Sequence, residues 1–235
     1  DDENGRAEAI AMHKKANQVL HKMNKCYGRQ SVIAVQIATA PSTPVKYVSS
    51  STDSLFKSME EILSWDWGGA KIVIEHCDAA VGNIPFEKGF LTMEDEVKTL
   101  VELKDLNNIG ITINWARSAI EGKNVETPVE HIKLALKNNI LSGLMFSGVS
   151  DNDNRYGNWK DMHMPFAQSF NTKFYEKKSL LTHENIIKTL KLLNVNDLDY
   201  LGVKLLSIPI GGSSLKRRVG VNKDAIKILN LCNPV

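Results

Sequence analysis

The chain has 235 residues, 43% hydrophobic and 24% charged, with 29 basic and 27 acidic side chains for a formal charge of +2. That length suits one domain or two small ones; the hydrophobic share is too high for a disordered chain, and the charge too balanced to attract nucleic acid. No apolar run approaches the ~18 residues that a membrane-spanning helix needs, so no membrane partner is expected.

Residues 3–26 carry helix formers, with Ala7, Ile10, Ala16, Leu20 and Met23 near helical spacing and Gly28 as a stop. Ser31–Ile37 is a short β-branched run and reads as a strand. Residues 41–53 are rich in Ser, Thr and Pro and read as a loop. Helical spacing returns at Leu55, Met59, Ile62 and Leu63. Lys71–His76 is the second strand, and Thr92-Met-Glu-Asp95 resembles a capping box ahead of Val97, Leu100, Val101 and Leu103.

Ile109–Asn114 is the third strand. Thr127-Pro128, with Glu130, opens a helix through Ile132, Leu134 and Leu136. The fourth strand covers about Leu141–Ser147. Residues 150–178 are polar, dotted with aromatics and without period, and read as a lid-like insertion. A helix from Thr182 to about Leu193, a strand over about Leu198–Ser207, a Gly-Ser turn at Gly211–Ser214 and a short helix over about Lys223–Leu231 complete the chain.

Strands starting near 31, 71, 109, 141 and 198 alternate with helices, which means parallel β buried on both faces. The dinucleotide fingerprint and the P-loop are both absent, so the usual support for a nucleotide-binding open sheet is missing. The fold class expected is α/β: an incomplete TIM-barrel-like (β/α) domain over residues 1–235, with about five parallel units. Five units do not close an eight-stranded barrel. A chain that opens on Asp1-Asp2 and turns helical at once is expected to lack the barrel's first three units. Five strands alone would leave two apolar edges, for which a homo-oligomer or an N-terminal segment is the expected cover. Cys26, Cys77 and Cys232 are odd in number and without a CxxC pair, which fits reduced thiols in a cytoplasmic protein.

In parallel sheets, function gathers at the C-terminal ends of strands. The second strand ends Glu75-His76-Cys77-Asp78, and alternation puts Glu75 and Cys77 on one face and His76 and Asp78 on the other. Glu75 could act as a base or make a buried hydrogen bond; His76 could bind substrate or cap a helix. Asn114 can donate and accept near a substrate hydroxyl, and the Arg117 fork can clamp a carboxylate or phosphate, or pair with Glu121. Ser147 ends the fourth strand. Lys204 stands inside an apolar strand, where an unpaired charge is costly, and Glu75 is its natural partner. Trp159, Asp161 and His163 lie in the lid-like insertion. Gly211–Ser214 with Lys216, Arg217 and Arg218 could cradle an anion.

Ile74–Ala79, Glu87–Leu91 with Glu94–Glu96, Asn114–Gly122, Met145–Gly148 and Tyr156–Pro165 together resemble a domain-of-unknown-function family in the xylose-isomerase-like (β/α)8 superfamily. The resemblance implies a sugar isomerase or epimerase acting on a small polyhydroxylated or carboxylated compound. It also implies a divalent metal cofactor held by Glu, Asp, His and Glu from separate strand ends, with Glu75 where the first acid could be. The later strand ends offer Asn114, Ser147 and Lys204 instead, and a lysine in the ring opposes a hard cation. Chemistry without the usual metal is therefore expected, with Glu75 as base and Lys204, Asn114 or His163 steadying an enolate-like charge. The alternative is a non-catalytic barrel derivative that binds a small ligand or serves in assembly.

Overall fold

A computed structural model describes residues 2–39, 51–106, 108–208 and 213–232. Most of the 41–53 loop, and Gly211 and Gly212 of the expected anion cradle, lie outside these residues. Five parallel strands, β1 (Ala34–Ile37), β2 (Lys71–Glu75), β3 (Ile109–Asn114), β4 (Leu141–Phe146) and β5 (Tyr200–Val203), pair in sequence order. Helices α1 (Glu3–Tyr27), α2 (Thr52–Leu63), α3 (Met93–Glu102), α4 (Trp115–Gly122), α5 (Thr127–Lys137), α6 (His183–Leu190) and α7 (Leu215–Cys232) accompany them. The sheet is a curled half-barrel, as the βα alternation implies. No helix among the described residues is long and apolar enough to cross a membrane.

Alternation sorts the strands cleanly. Ile72, Ile74, Ile111, Ile113, Leu144 and Phe146 have no exposed surface and belong to one apolar cluster with Met93, Leu100, Ile120, Ile132 and Ile186 from the helices. The residues between them form the concave face, where register aligns Glu75 with Thr112, Thr112 with Gly143, and Gly143 with Tyr200. This face is polar. Gln36 of β1 donates to the Tyr200 hydroxyl at 3.1 Å, and Thr112 shares a hydrogen bond with the same hydroxyl. Lys71 of β2 meets Asp199, beside β5, at 2.7 Å. Side chains from the first and last strands therefore touch across the hollow of the sheet.

Gly143 makes this crossing possible. A Cβ there would lie 2.3 Å from the Tyr200 ring. Gly220 serves the same purpose on the outer surface, where a Cβ would meet the Phe174 ring at 2.3 Å. The sequence pattern starts the last helix near Lys223, yet α7 begins at Leu215 and runs through Gly220, whose missing side chain leaves room for Phe174. The other difference is α4. Asn114–Ser118 reads as the end of a strand followed by loop, but a helix springs directly from β3. Its 8 residues are too few for a periodic signal.

Gly143→Ala should lower stability by about 1–3 kcal/mol, the usual cost of forcing a methyl group into a packed site. Urea denaturation measures this, and an unchanged midpoint would contradict the close approach of Tyr200.

Candidate functional site at the C-terminal ends of the strands

The end of β2 divides its charged residues between the two sides of the sheet. Glu75 points into the hollow and is 6% exposed. The Lys204 Nζ, just past β5, lies 3.2 Å from both of its carboxylate oxygens. Arg117 Nη1 reaches Oε2 at 3.0 Å, and Asn114 Nδ2 donates to Oε1 at 3.3 Å. The Ser147 hydroxyl, past β4, donates to Asn114 Oδ1 at 2.7 Å. Lys204 thus meets its expected partner, but from just past the strand and with 36% of its side chain exposed, so it is Glu75 whose burial requires the pairing; Arg117 pairs with Glu75 rather than with Glu121.

Arg117 lies in the first turn of α4 and connects this cluster to the 150–178 insertion. Its Nε donates to Asp161 Oδ2 at 3.1 Å, and Lys88 donates to the same oxygen. The Asp161 backbone N–H donates to Glu87 Oε2 at 2.6 Å. Burial would raise the Asp161 pKa, but Arg117 and Lys88 outweigh it and hold the carboxyl below its ordinary range. Cys77 shares this side of the sheet. Burial, the largest influence, pushes its thiol up to about 12, so it is no nucleophile at neutral pH.

The insertion spans the ends of β4 and β5. Gly148 and Met164 exchange backbone hydrogen bonds of 2.7 and 3.1 Å, and Leu206 N–H donates to the His163 carbonyl at 2.8 Å. His163 is thereby fixed between the two strand ends that bear Ser147 and Lys204. Its φ of 47° and the φ of 51° at Trp159 are left-handed, a strained backbone for either residue. The Trp159 ring has the Lys123 Nζ 5.8 Å from its centroid, away from the hydrogen-bonded group around Glu75.

His76 belongs to a different cluster, behind the sheet. It is fully buried, with Nδ1 2.8 Å from Glu96 Oε2 and Nε2 3.0 Å from Glu121 Oε2. His131 Nε2 lies 3.2 Å from Glu121 Oε1, and His131 Nδ1 is 2.9 Å from the Ser118 hydroxyl. Thr39 donates to Glu96, and Ala79 N–H to Glu121. Donor atoms of His76, Glu121 and His131 lie within 4.8 Å of one another, a spacing that could hold a metal ion, but each already has a hydrogen-bond partner. The chain of contacts ties β2 to α3, α4 and α5. Asp78, on the same side of the strand, accepts the backbone N–H groups of Glu87 and Lys88 at 2.7 and 2.9 Å.

Glu75, Lys204, Asn114, Arg117 and Ser147 therefore converge, with His163 beside them, while His76 and Trp159 stand apart. Sequence reasoning did not pick out the two roles of Asp161, with Arg117 and with Lys88. Both lie within strings that carried the family resemblance, Tyr156–Pro165 and Glu87–Leu91, which was the available signal.

Residues 1–221 match a family model described as Domain of unknown function (DUF4862). The chain belongs to this family. It is 33% identical over 230 residues to "Uncharacterized protein STM3670" of Salmonella typhimurium, covering 97% of this chain and 69% of that protein. Among solved structures it is similar to the apo form of 3-keto-D-glucoside 4-epimerase YcjR from E. coli, with a TM-score of 0.53 at 13% identity, covering 94% of this chain and 70% of that one. It is also similar to a xylose isomerase domain protein from Alicyclobacillus acidocaldarius, with a TM-score of 0.54 at 13% identity over 94% and 72%. These likenesses show that the five-stranded sheet has the fold of part of a TIM barrel.

The cluster behind the sheet makes stability depend on pH. Burial depresses the His76 pKa, but Glu96 and Glu121 outweigh it and raise it to about 10. The unfolded imidazole titrates near ~6.5, so between these values the native state holds one more proton than the unfolded state. The contribution is complete below about pH 6.5 and falls by up to ~1.4 kcal/mol per pH unit as pH rises towards the folded value. Urea denaturation of wild type and His76→Gln at about pH 7 and about pH 9 should show a smaller gap between them at the higher pH. A gap that widens would contradict the arrangement.

Proposed function

We propose that this protein is an isomerase or epimerase for a sugar or sugar acid, with Glu75 as the base that removes a proton from a carbon beside a carbonyl. The observation that carries the reading is a buried carboxylate held among Lys204, Arg117 and Asn114 where β2, β3 and β5 end, the functional end of parallel barrels. The likeness in fold to a sugar epimerase supports the substrate class.

A divalent metal of the kind used by the superfamily's sugar isomerases does not fit these residues. At the ends of β2 to β5 the donor set is one carboxylate, an amide, a hydroxyl and an ammonium, with Asp161 and His163 beside them in the insertion, and Glu75 and Asp161 are each already paired with two cations. A hard dication prefers several anionic or neutral oxygens and is repelled by Lys204. The positive charge that steadies the developing oxyanion comes from Lys204 instead. An ammonium has three donors and two face Glu75, which leaves one for a substrate oxygen. In this step the proton passes from carbon to Glu75, the C–H electron pair becomes a carbon–carbon double bond as the carbonyl π pair moves onto its oxygen, and Lys204 stabilises the charge formed there.

The test is a screen of ketoses, aldoses and aldonates by NMR, with and without Glu75→Gln. The expected result is turnover of at least one compound, lowered on the order of 10²–10⁴-fold by Glu75→Gln in a protein that still unfolds cooperatively. Binding of a sugar acid without turnover by wild type would instead favour a non-catalytic, ligand-binding barrel derivative. That reading draws on the fact that both Glu75 oxygens already have partners.

A further inference from the structure

Asp161 and His163 carry a feature that the reading above does not use. Asp161 Oδ1 and His163 Nδ1 lie 3.2 Å apart. Both atoms are buried, and neither has a hydrogen-bond partner among the described residues, so the two face each other as a close charged contact and not as a formed hydrogen bond. The Asp161 side chain is only 7% exposed. Its other oxygen is fully engaged by Arg117 and Lys88, so the free oxygen is aimed by two cations rather than left to rotate. His163 is placed as well: its carbonyl accepts from Leu206 N–H, and its neighbour Met164 pairs with Gly148, which holds the residue at the ends of β4 and β5 in a left-handed conformation that costs energy.

We infer that Asp161 and His163 form a second proton-transfer pair in the site of Glu75, in which Asp161 is a positioning residue that fixes the His163 tautomer and His163 exchanges a proton with substrate through Nε2. The inference rests on the isomerase or epimerase reading and narrows it to epimerisation. A carboxylate facing Nδ1 keeps the proton on that nitrogen and leaves the Nε2 lone pair free; when Nε2 takes a proton, the same carboxylate stabilises the imidazolium. Burial, with Lys204 and Arg117 nearby, lowers the His163 pKa despite Asp161 and Glu75, so the resting imidazole is neutral.

Two groups held on separate strand ends suit inversion at carbon. With His163 neutral and Glu75 protonated, Nε2 takes the proton from one epimer, the C–H electron pair becomes a carbon–carbon double bond as the carbonyl π pair moves onto its oxygen, and Glu75 returns a proton as the pairs move back. The opposite epimer uses the carboxylate of Glu75 as base and the imidazolium as acid. One proton leaves the carbon and one arrives, and no oxidant or co-reactant is needed.

The tautomer can be read without a substrate. Long-range 1H–15N correlation spectra of 15N-labelled protein, assigned with His163→Gln, should show wild-type His163 protonated on Nδ1. In Asp161→Asn the amide can turn its NH2 group to Nδ1, and the proton should move to Nε2. A wild-type spectrum with the proton on Nε2 overturns the proposal even if Asp161→Asn does not fold, as does a tautomer unchanged in a folded Asp161→Asn. On any compound that wild type epimerises, His163→Gln should lower epimer formation on the order of 10²-fold. It should still allow Glu75 to exchange the substrate proton with solvent; equal loss of both, or of neither, counts against the pair. If no compound is turned over, the isomerase reading fails, while the tautomer measurement still decides whether Asp161 positions His163.

Discussion

The structure depends on a carboxylate that cannot be buried alone. Glu75 is nearly solvent-free, and an unpaired charge in that position would cost several kcal/mol. Lys204, Arg117 and Asn114 meet that requirement together, and in doing so they bind β2, β3, α4 and the end of β5 at one point. Removing one partner of such a pair typically costs about 3–5 kcal/mol, because the other charge remains buried. The same contacts hold a carboxylate, two cations and an amide within one hydrogen-bonded group. Arg117 then carries the constraint outward through Asp161 to Lys88 and the insertion over the strand ends.

The period-2 geometry of β2 gives one strand two kinds of charge. Glu75 faces the hollow and its cations, whereas His76 faces the helices and is enclosed by Glu96 and Glu121. Burial would raise the pKa of Glu121, yet His131 and His76 hold its carboxyl far below the ordinary range. Burial lowers the pKa of His131, and Glu121 only partly offsets it, so the network has one imidazolium and one neutral imidazole at neutral pH. Both clusters are ionic, but one faces the hollow at the ends of the strands while the other is enclosed between β2 and the helices. Position at the strand ends, rather than residue type, marks the first as the candidate site.

Much of this was legible in the sequence. The apolar cores of β2, β3 and β4 announce buried parallel strands, and the observed bounds of β3 are those expected. Alternation foretells which way Glu75 and His76 point, and Lys204 is conspicuous because an apolar strand has no use for an unpaired ammonium. Arg117 was legible as an anion clamp, but the helix that carries it was not, because α4 has too few residues to display a period. Asp161 was obscured for another reason. It meets Arg117 and Lys88 across separations of 44 and 73 residues, from a segment without periodicity, and no local pattern encodes such contacts. The first turns of α7 were missed, and the use of Gly220 within it lies in its packing against Phe174, 46 residues earlier in the chain.

The central claim is that Glu75 moves a carbon-bound proton with Lys204, and not a divalent metal, as its positive partner. Solvent deuterium wash-in tests this most directly. Wild-type protein, freed of metal with EDTA, would be incubated in D2O with keto sugars and sugar acids, and carbon-bound deuterium followed by NMR. The account predicts deuterium at one carbon beside a carbonyl, undiminished by EDTA, lost in Lys204→Met, and lost in Glu75→Gln for the epimer whose proton Glu75 removes. Wash-in that appears only when a divalent cation is restored, or that survives for both epimers in Glu75→Gln, would contradict it.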